Sequence, residues 1–374
     1  MTSDNAYQHG GSPEKDMARL GLPRGPILDF SVNLNPMGPP PLIRERWSDL
    51  WDQVEGYPSL QGEGVAGYYG ERFGIPVDRF LAGNGSTEMI YLIPRVLRLE
   101  RVGVITPSYH DYERACRLAG AEVVHFPLDE PEGFSPPRPG HLERFMEKVE
   151  GIWLGRPNNP SATMIPKAHI LDLAGRFPEK WFIVDEAFIQ FLEDWREESF
   201  LFEPSATNIL VVHSLTKFYA LAGLRLGGVF GDKGVIDRLR FAKEPWTVNG
   251  VADRVAPLLA QCWEYDDQAR AAVSEEIRYV QDRILPLDGI TAFPSRVNYL
   301  LCRWTRTPDL DDLLHHLLSN GFYVRDCRNF PGLEAGYFRV GLRVRHENEL
   351  LVECLASACE RVGDARCRIQ DSRF

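Results

Sequence analysis

The chain has 374 residues, of which 44% are hydrophobic and 25% charged, so it has the composition of a globular protein and the length of about two domains. The net charge of −11 argues against a surface that binds nucleic acid or an anionic membrane. The seven cysteines are scattered without a Cys-x-x-Cys pair, which indicates reduced thiols and neither disulfides nor a metal centre. Since no apolar run approaches a membrane span and the N-terminus lacks a signal pattern, we expect a cytoplasmic protein.

The first 40 residues are rich in glycine, proline and asparagine and cannot form a core. They include the neighbours His9 and Gly10, and the run Asp-Phe-Ser-Val-Asn-Leu-Asn-Pro at 29–36, which contains Asn33. This composition predicts an extended N-terminal arm over residues 1–40. A disordered tail is the alternative, since chain termini often fray.

A helix is predicted next, over residues 42–54, with three large apolar side chains on one face: Trp47, Leu50 and Trp51. The run at 62–67 formally matches the Gly-x-Gly-x-x-Gly motif of dinucleotide sites. That motif has to follow a strand, whereas this run follows a Tyr-Pro turn. We therefore exclude a dinucleotide site here; in a helix at this position Gly64 and Gly67 would each cost about 1 kcal/mol relative to alanine.

The glycine-rich turn at 83–88 is the best candidate for binding a phosphate. Gly85 precedes Ser86 and Thr87, and a helical stretch follows. A turn that opens a helix presents free backbone N–H groups and the positive end of the helix dipole to an anion. An ordinary helix N-cap is the alternative, but glycine before the two hydroxyls favours close approach of a ligand.

Short apolar runs that resemble buried strands alternate with helical stretches through the middle of the chain. The predicted strands are 101–107, 121–126, 151–155, 180–185, 208–213 and 226–231. This alternation predicts a mostly parallel sheet with helices on both faces. Ligands of such sheets bind beyond the carboxyl ends of the strands.

Side chains suited to one phosphorylated aldehyde follow three of these strands. Lys217 offers an amine that can form a Schiff base with the aldehyde, while Ser214 and Arg225 can bind its phosphate. Asp185 can pair with a protonated pyridine nitrogen, and Asn158 can donate to a ring oxygen. Taken singly, each has a plainer interpretation: an exposed lysine, a helix-capping aspartate or an Asn-Pro turn.

Long amphipathic helices begin at about residue 251 and suggest a second domain. We expect an arm over 1–40, a large domain over 41–250 and a small C-terminal domain over 251–374. The last of these contains Arg325 and Arg339, both among apolar neighbours. A buried guanidinium needs an anionic partner. The residues alone do not distinguish an internal salt bridge from a substrate anion in this role.

In order along the chain, four motifs carry a family resemblance: Asn-Asn-Pro at 158–160, Asp-Glu-Ala-Phe at 185–188, Ser-Leu-Thr-Lys at 214–217 and Gly-Leu-Arg at 223–225. Together they resemble the fold-type I pyridoxal-phosphate enzymes of the class I/II aminotransferase group, over nearly the whole chain. The resemblance implies an α/β fold, in which helices enclose a mostly parallel seven-stranded sheet and a smaller α+β domain follows. It also implies pyridoxal 5'-phosphate (PLP) as cofactor, and a homodimer with shared active sites.

The same resemblance assigns roles to two tyrosines and to the arm. Tyr109 would stack on the pyridine ring, and Tyr57 would reach the cofactor phosphate of the partner subunit. The arm would lie over the active site. A core aromatic for Tyr109 and a buried interface tyrosine for Tyr57 are the alternatives.

Local features are most similar to the threonine-phosphate decarboxylases of cobalamin side-chain synthesis. They are the arm motifs at 9–11 and 29–36, the segment at 329–333, and Phe188 where histidinol-phosphate aminotransferases have tyrosine. The similarity implies a carboxy-lyase that converts L-threonine O-3-phosphate to (R)-1-amino-2-propanol O-2-phosphate. The residues expected around the substrate are His9, Gly10, Asn33, Asn158, Arg325 and Arg339. Ser-Ala at 161–162 departs from the usual Thr-Gly and leaves the local backbone undetermined.

Other functions fit the same motifs. A histidinol-phosphate aminotransferase would need an added oxo acid, whereas a decarboxylase releases CO₂ without one. A decarboxylase specific for phosphoserine would differ by one methyl group in the pocket, worth about 1–3 kcal/mol. A non-catalytic, cofactor-binding regulator would carry a basic DNA-binding segment, for which this acidic chain has no room.

Overall fold

The computed structural model describes residues 10–371 except 139, 204 and 334, with side chains as far as residue 360. The strands are β1 (Leu28–Asp29), β2 (Phe80–Asn84), β3 (Arg101–Thr106), β4 (Glu122–Pro127), β5 (Gly151–Gly155), β6 (Trp181–Asp185), β7 (Ile209–Ser214), β8 (Leu226–Phe230), β9 (Ile290–Ala292), β10 (Tyr299–Trp304), β11 (Phe322–Tyr323), β12 (Arg325–Asp326) and β13 (Tyr337–Gly341). The α-helices are α1 (Pro13–Arg19), α2 (Pro41–Glu45), α3 (Glu63–Phe73), α4 (Ser86–Leu97), α5 (Asp111–Leu118), α6 (His141–Met146), α7 (Lys167–Arg176), α8 (Trp195–Glu198), α9 (Lys233–Ala242), α10 (Gly250–Leu259), α11 (Trp263–Ile284), α12 (Leu310–Ser319) and α13 (Arg345–Asp371).

The middle of the chain forms a seven-stranded sheet in the order β2-β8-β7-β6-β5-β3-β4. From β7 to β4 neighbouring strands are parallel, whereas β8 runs antiparallel to both β7 and β2. The predicted seven-stranded, mostly parallel sheet is therefore confirmed, and its six predicted strands lie within two residues of their expected ends. Strand β2 was not predicted, because it has only five residues, Phe-Leu-Ala-Gly-Asn, of which two are small and the last is polar.

Alternate residues of these strands face two apolar layers, as the strand pleat requires. One layer contains Val104, Trp153, Ile183, Leu210 and Val229. The other contains Ile105, Ile152, Phe182, Val211 and Phe230. Because both faces are covered, β7 is buried at every position, which explains why the central strands are continuous apolar runs.

The direction of β8 decides which of its ends lies at the ligand-binding edge. In register, Gly227 pairs with Ser214, the last residue of β7, and Leu226 pairs with Asn84, the last residue of β2. The start of β8 therefore meets the carboxyl ends of its neighbours. Arg225, immediately before β8, is brought to that edge.

A four-stranded antiparallel sheet in the order β12-β13-β10-β9 forms the C-terminal part of the chain together with α11, α12 and α13. This agrees with the expected smaller α+β domain. The predicted boundary at residue 250 stays a prediction. Helix α10, just after it, packs closely on α3, since a Cβ atom at Gly64 would lie 1.9 Å from Asp253 O.

The helix predicted over 42–54 is interrupted. Helix α2 ends before Arg46, and a 3-10 helix occupies Trp47–Gln53. Leu50 is buried, whereas Trp47 and Trp51 are 54% and 68% exposed. The predicted common apolar face of these three residues is therefore wrong.

The N-terminal arm is partly helical and docks on the C-terminal part of the chain. Met17 in α1 packs with Leu318 and Tyr323, and the Tyr323 hydroxyl donates to Asp16 Oδ2 (2.7 Å). Strand β1 pairs in parallel with β11. The fully extended arm that the composition predicts is therefore wrong for residues 13–19. His9 lies outside the described residues.

Within the described part of the chain, no helix is both long and apolar enough to cross a membrane. The same residues contain no group of three or more histidine, cysteine, aspartate or glutamate side chains that could hold a metal ion.

Candidate active site

A cavity of about 230 Å³ lies at the carboxyl edge of the large sheet. Its wall combines the arm, the large sheet and the C-terminal sheet. Most of the predicted site residues line it: Gly10, Asn33, Ser86, Thr87, Tyr109, Asp185, Ser214, Lys217, Arg225, Arg325 and Arg339. The tertiary fold thus brings together side chains that are separated by more than 300 positions in the sequence.

Lys217 lies in the turn after β7, where its amine is surrounded by charged groups. The pKa of Lys217 is lowered to about 8, mainly by burial and also by the nearby cations Arg225 and Arg339, while Asp185 opposes the shift. At pH 7 about a tenth of such amines are neutral. A neutral amine is the nucleophilic form, so Lys217 can attack an aldehyde carbon.

Asp185 ends β6 and is 6% exposed. Its Oδ2 accepts a hydrogen bond from the Tyr112 hydroxyl (2.8 Å), and its Oδ1 accepts one from Ala187 N (2.9 Å). Burial raises the pKa of Asp185 to about 6, although both hydrogen bonds and Lys217 lower it. A buried cation beside this carboxyl, such as a protonated ring nitrogen, would keep it ionised.

The turn before α4 and the start of β8 form a cup suited to an anion. Gly85 has φ 73°, and a Cβ atom there would lie 2.5 Å from an Arg225 guanidinium nitrogen. Arg225 donates to Thr87 Oγ1 (3.4 Å) and to Ala222 O (3.1 Å), and no carboxylate among the described residues pairs with it. The cup also contains Ser86, the first residue of α4. The first N–H groups of a helix lack partners within the helix and can donate to an anion.

Two hydroxyls extend this cup on the side of the lysine turn. Ser214 Oγ and Thr216 Oγ1 lie 2.8 Å apart and both line the cavity. Ser214 was predicted as a phosphate ligand, and Thr216 was not. Its place within the Ser-x-Thr-Lys motif is the signal that would have identified it.

Two guanidinium groups face the cavity from the C-terminal sheet. Arg325 and Arg339 are partners across β12 and β13, and each is 5% exposed. Arg339 donates to Ser31 O (3.0 Å) and to the Asn159 side-chain oxygen, while its Nε has no partner among the described residues. Burial, together with Arg325, lowers the pKa of Arg339 to about 10.

Arg339 forms no salt bridge with any carboxylate in the described part of the chain. The internal salt bridge considered for this residue is therefore absent there. A buried cation beside a second cation is costly unless an anion joins it. The Arg339 guanidinium, buried next to Arg325, is the strongest sign of an anionic ligand at the site.

The arm contributes polar groups opposite the sheet edge. Asn33 is 5% exposed, lines the cavity, and its Oδ1 has no hydrogen-bond partner among the described residues. Gly11 N donates to Ser31 Oγ (2.7 Å). This bond joins two parts of the arm and holds the cavity-lining Gly10 near Ser31. Tyr109 lines the cavity on the sheet side, and its ring lies edge-on to Tyr112, with centroids 5.6 Å apart.

Asn158 is not part of the cavity wall. Its Nδ2 donates to Pro107 O and to Ser161 Oγ, both at 2.7 Å, so neither amide hydrogen is available to a ring oxygen. Asn159 lines the cavity instead. The chain reverses here with Ala162 at φ 59°, a left-handed conformation that glycine would adopt more easily. The structure therefore places Asn159 in the cavity wall, and the predicted Asn158 outside it.

Tyr57 also lies away from the cavity within this chain. It is 88% exposed, and its ring packs beside Trp246, with centroids 5.3 Å apart. A single chain therefore does not bring Tyr57 to its own site. Further wall residues carry no clear signal in the sequence: Ser31, His110, Tyr112, Asn159 and Phe330.

Comparison with known proteins agrees with this architecture. The family described as aminotransferase class I and II matches residues 26–355. The threonine-phosphate decarboxylase of Salmonella typhimurium is 32% identical, over 96% of this chain and 98% of the relative. A histidinol-phosphate aminotransferase of Desulfitobacterium hafniense is 29% identical, over 87% and 90%. The crystal structure of the histidinol-phosphate aminotransferase from Clostridium acetobutylicum superposes with a TM-score of 0.82 at 25% identity, covering 90% of this chain and all of that one.

Proposed function

The chain belongs to the class I and II aminotransferase family, and from that membership we propose that it is a PLP-dependent decarboxylase of L-threonine O-3-phosphate. Its product would be (R)-1-amino-2-propanol O-2-phosphate, for the nucleotide loop of cobalamin. The observation that carries the proposal is the buried arginine pair at 325 and 339, which faces Lys217 across one cavity. The 32% identical threonine-phosphate decarboxylase supports the choice of substrate.

The residues present fit PLP. Lys217 would hold the aldehyde carbon, Asp185 the ring nitrogen, and the cup formed by Gly85, Ser86, Thr87, Ser214 and Arg225 the phosphate. Tyr109 would lie against the ring. A Cβ atom at position 85 would fill the space that the phosphate needs beside the guanidinium. When bound, PLP supplies an electron sink for the charge that develops at Cα.

Around that group, the arginines orient the substrate. Arg325 and Arg339, with the Asn33 side chain, would bind the substrate's phosphate and carboxylate, and His9 would complete this set from the arm. A phosphate held by the arginine that aminotransferases use for a carboxylate would leave the carboxylate free to turn. Its bond to Cα could then stand perpendicular to the ring and break, releasing CO₂.

Lys217 would then return a proton to Cα. Its pKa of about 8 suits this task, because most of the amine carries a proton near pH 7 and can give it up to a developing carbanion. The cavity wall also contains the apolar side chains of Val32, Leu34 and Phe188. Phe188 also lacks the hydroxyl that a tyrosine would direct toward the ring.

The deciding experiment is a CO₂ assay of the PLP-loaded protein with no added oxo acid. We expect CO₂ and the amino alcohol phosphate from L-threonine O-3-phosphate, and loss of both in Lys217→Ala. A parallel reaction with phosphoserine reports the preference between the two phospho-amino acids. If turnover occurs only with 2-oxoglutarate and histidinol phosphate, the protein is instead an aminotransferase like its 29% identical relative.

We further propose that the protein works as a homodimer with shared sites in the cytoplasm. The exposed Tyr57 and Trp246 support the first point, because a second copy would bury them. In that arrangement Tyr57 of one chain would reach the cofactor phosphate of the other. Five of the described cysteines carry free thiols, which suits a reducing compartment: Cys116, Cys262, Cys302, Cys327 and Cys359.

A further inference from the structure

The end of the arm contacts the backbone of the lysine turn through one buried residue. Asn35 is 3% exposed. Its backbone N–H donates to Lys217 O (3.0 Å), and its Nδ2 donates to Phe218 O (2.8 Å). The same Nδ2 donates to the Tyr265 hydroxyl (3.0 Å), while Oδ1 accepts from Met37 N (3.1 Å). Every polar group of the Asn35 side chain is therefore used.

These bonds fix two consecutive carbonyls of the turn. Tyr265, in the first turn of α11, completes the contact, because its hydroxyl also donates to Gly38 O (2.5 Å). The Phe218 carbonyl thus meets side chains from both the arm and α11. Fixing the carbonyls of 217 and 218 fixes the direction in which the Cα–Cβ bond of Lys217 leaves the backbone, and this limits the region that its amine can reach.

We propose that Asn35 is a positioning residue for Lys217. It holds the lysine turn so that the amine stays inside the cavity and does not swing toward water. The inference rests on the proposed function in one respect, namely that Lys217 is the residue that holds the cofactor aldehyde. No part of the reaction is assigned to Asn35 itself.

The pKa of the Lys217 amine reports its position, because charged groups surround the amine only inside the cavity. Asp185 faces it from β6, Arg225 from the turn before β8, and Arg339 from β13. Behind the turn, the Tyr219 hydroxyl donates to Asp266 Oδ2 (3.2 Å). Burial and the two arginines lower the pKa of Lys217 to about 8. An amine released toward water would return toward its ordinary pKa of about 10.4.

The test is the pKa of Lys217 in the cofactor-free protein. Acetylation by acetic anhydride is followed across pH, and the modified Lys217 peptide is quantified by mass spectrometry. In Asn35→Ala we expect the pKa to rise by about 1 unit or more, so that labelling near pH 7 slows roughly tenfold. The dissociation constant for PLP, from fluorescence titration, should increase in the same variant.

Asn208→Ala is the matched control. Asn208 is 8% exposed, and its Nδ2 donates to three backbone carbonyls far from the lysine turn, those of Ala174, Phe177 and Lys180. Its loss should destabilise the fold without changing the pKa of Lys217. Equal pKa shifts in the two variants would mean a general structural effect and would overturn the proposal. So would a folded Asn35→Ala protein with the wild-type pKa.

If Asn35→Ala does not fold, Tyr265→Phe decides. It keeps the ring and removes only the hydroxyl that bonds Asn35 and Gly38. We expect a smaller rise of the Lys217 pKa, and an unchanged value would count against the positioning role. Because these measurements use cofactor-free protein, they remain interpretable even if the chain releases no CO₂ from phosphothreonine.

Discussion

At the scale of single residues, the cavity holds an amine and a carboxyl away from their ordinary protonation behaviour. The pKa of Lys217 falls to about 8 and that of Asp185 rises to about 6, both mainly through burial. Each group is therefore costly in its charged form until a ligand of opposite charge arrives. The two shifts follow from where the side chains lie, and each makes a separate prediction.

Asp185→Asn should stabilise the cofactor-free protein above pH 6. An aspartate in an unfolded chain titrates near pH 3.9. Between about pH 4 and pH 6 the folded wild type therefore binds more protons than the unfolded chain, and its stability falls as the pH rises. Asparagine keeps hydrogen bonds to Tyr112 and Ala187 without a charge. We expect a gain of up to about 3 kcal/mol at pH 8, measured by urea denaturation.

The difference between wild type and Asp185→Asn should shrink to nearly zero at pH 4, where the wild-type carboxyl is protonated in the folded protein. The variant should also bind PLP more weakly, because no carboxylate is left to pair with the ring nitrogen. Equal pH dependence of stability in the two proteins would contradict the burial of a charged Asp185.

Arg339→Ala should weaken the binding of phosphothreonine. The guanidinium is buried beside Arg325 and bonds Ser31 and Asn159, so a bound anion would be desolvated and held by charge-assisted hydrogen bonds. Loss of such a contact costs about 2–5 kcal/mol, which corresponds to at least a roughly 30-fold rise in dissociation constant.

Calorimetry with the substrate and Arg343→Ala as control checks this prediction. Arg343 lies shortly after the same strand, and its guanidinium pairs with Glu347 (2.7 Å) without lining the cavity. Affinity in that control should stay within about twofold. Unchanged affinity in Arg339→Ala would remove the arginine from the substrate site.

At the scale of elements, two of the three glycines in helix α3, Gly64 and Gly67, differ in whether the packing requires glycine at their position. A Cβ atom at Gly64 would lie 1.9 Å from Asp253 O, and Asp253 Oδ1 accepts from Gly64 N (2.7 Å). Glycine there allows α3 and α10 to approach closely. Gly67 has no atom within 4 Å of an added Cβ. From the sequence, both glycines are expected to weaken the helix. In the structure this holds only for Gly67.

Gly64→Ala and Gly67→Ala should therefore change stability in opposite directions. Gly64→Ala forces α3 and α10 apart and should lower the free energy of unfolding by about 1–3 kcal/mol or more, as overpacked contacts do. The second replaces glycine in an α-helix and should add up to about 1 kcal/mol. Thermal denaturation of the two variants beside wild type gives the comparison. A stable Gly64→Ala protein would mean that α3 and α10 are not in close contact.

At the scale of the whole molecule, the chain brings three regions to one cavity but leaves large apolar side chains exposed. The arm reaches both the C-terminal sheet, through Arg339, and the lysine turn, through Asn35. Tyr57 is 88% exposed and Trp246 is 49% exposed, and their rings are in contact. Apolar aromatic rings in contact on a surface are typical of protein interfaces.

Light scattering should give twice the chain mass of 42.5 kDa for the wild type. Trp246→Asp would place a charge in the proposed interface and should shift the protein toward monomer, with weaker PLP binding because Tyr57 of the partner is lost. Leu118→Asp changes another exposed apolar residue, at the end of α5, and serves as control. A wild-type monomer with full activity would contradict shared sites.

The sequence alone determined where six of the seven strands of the large sheet lie along the chain, and which reactive side chains follow them. Apolar runs of five or six residues can be recognised locally, and parallel strands place whatever follows them at one edge. Lys217, Asp185 and the turn at Gly85 could therefore be assigned to one site before any contact was known. The family motifs added the expected seven strands and the cofactor.

Only the tertiary structure decided which neighbours face the cavity. The choice of Asn159 over Asn158 depends on how the turn reverses at Ala162, and local periodicity contains no signal for it. Arg339 meets Ser31 and Asn159 from 308 and 180 positions away, and the antiparallel course of β8 brings Arg225 to the edge. Such contacts depend on packing between distant segments, so residue types and spacing could suggest an anion site but could not locate it.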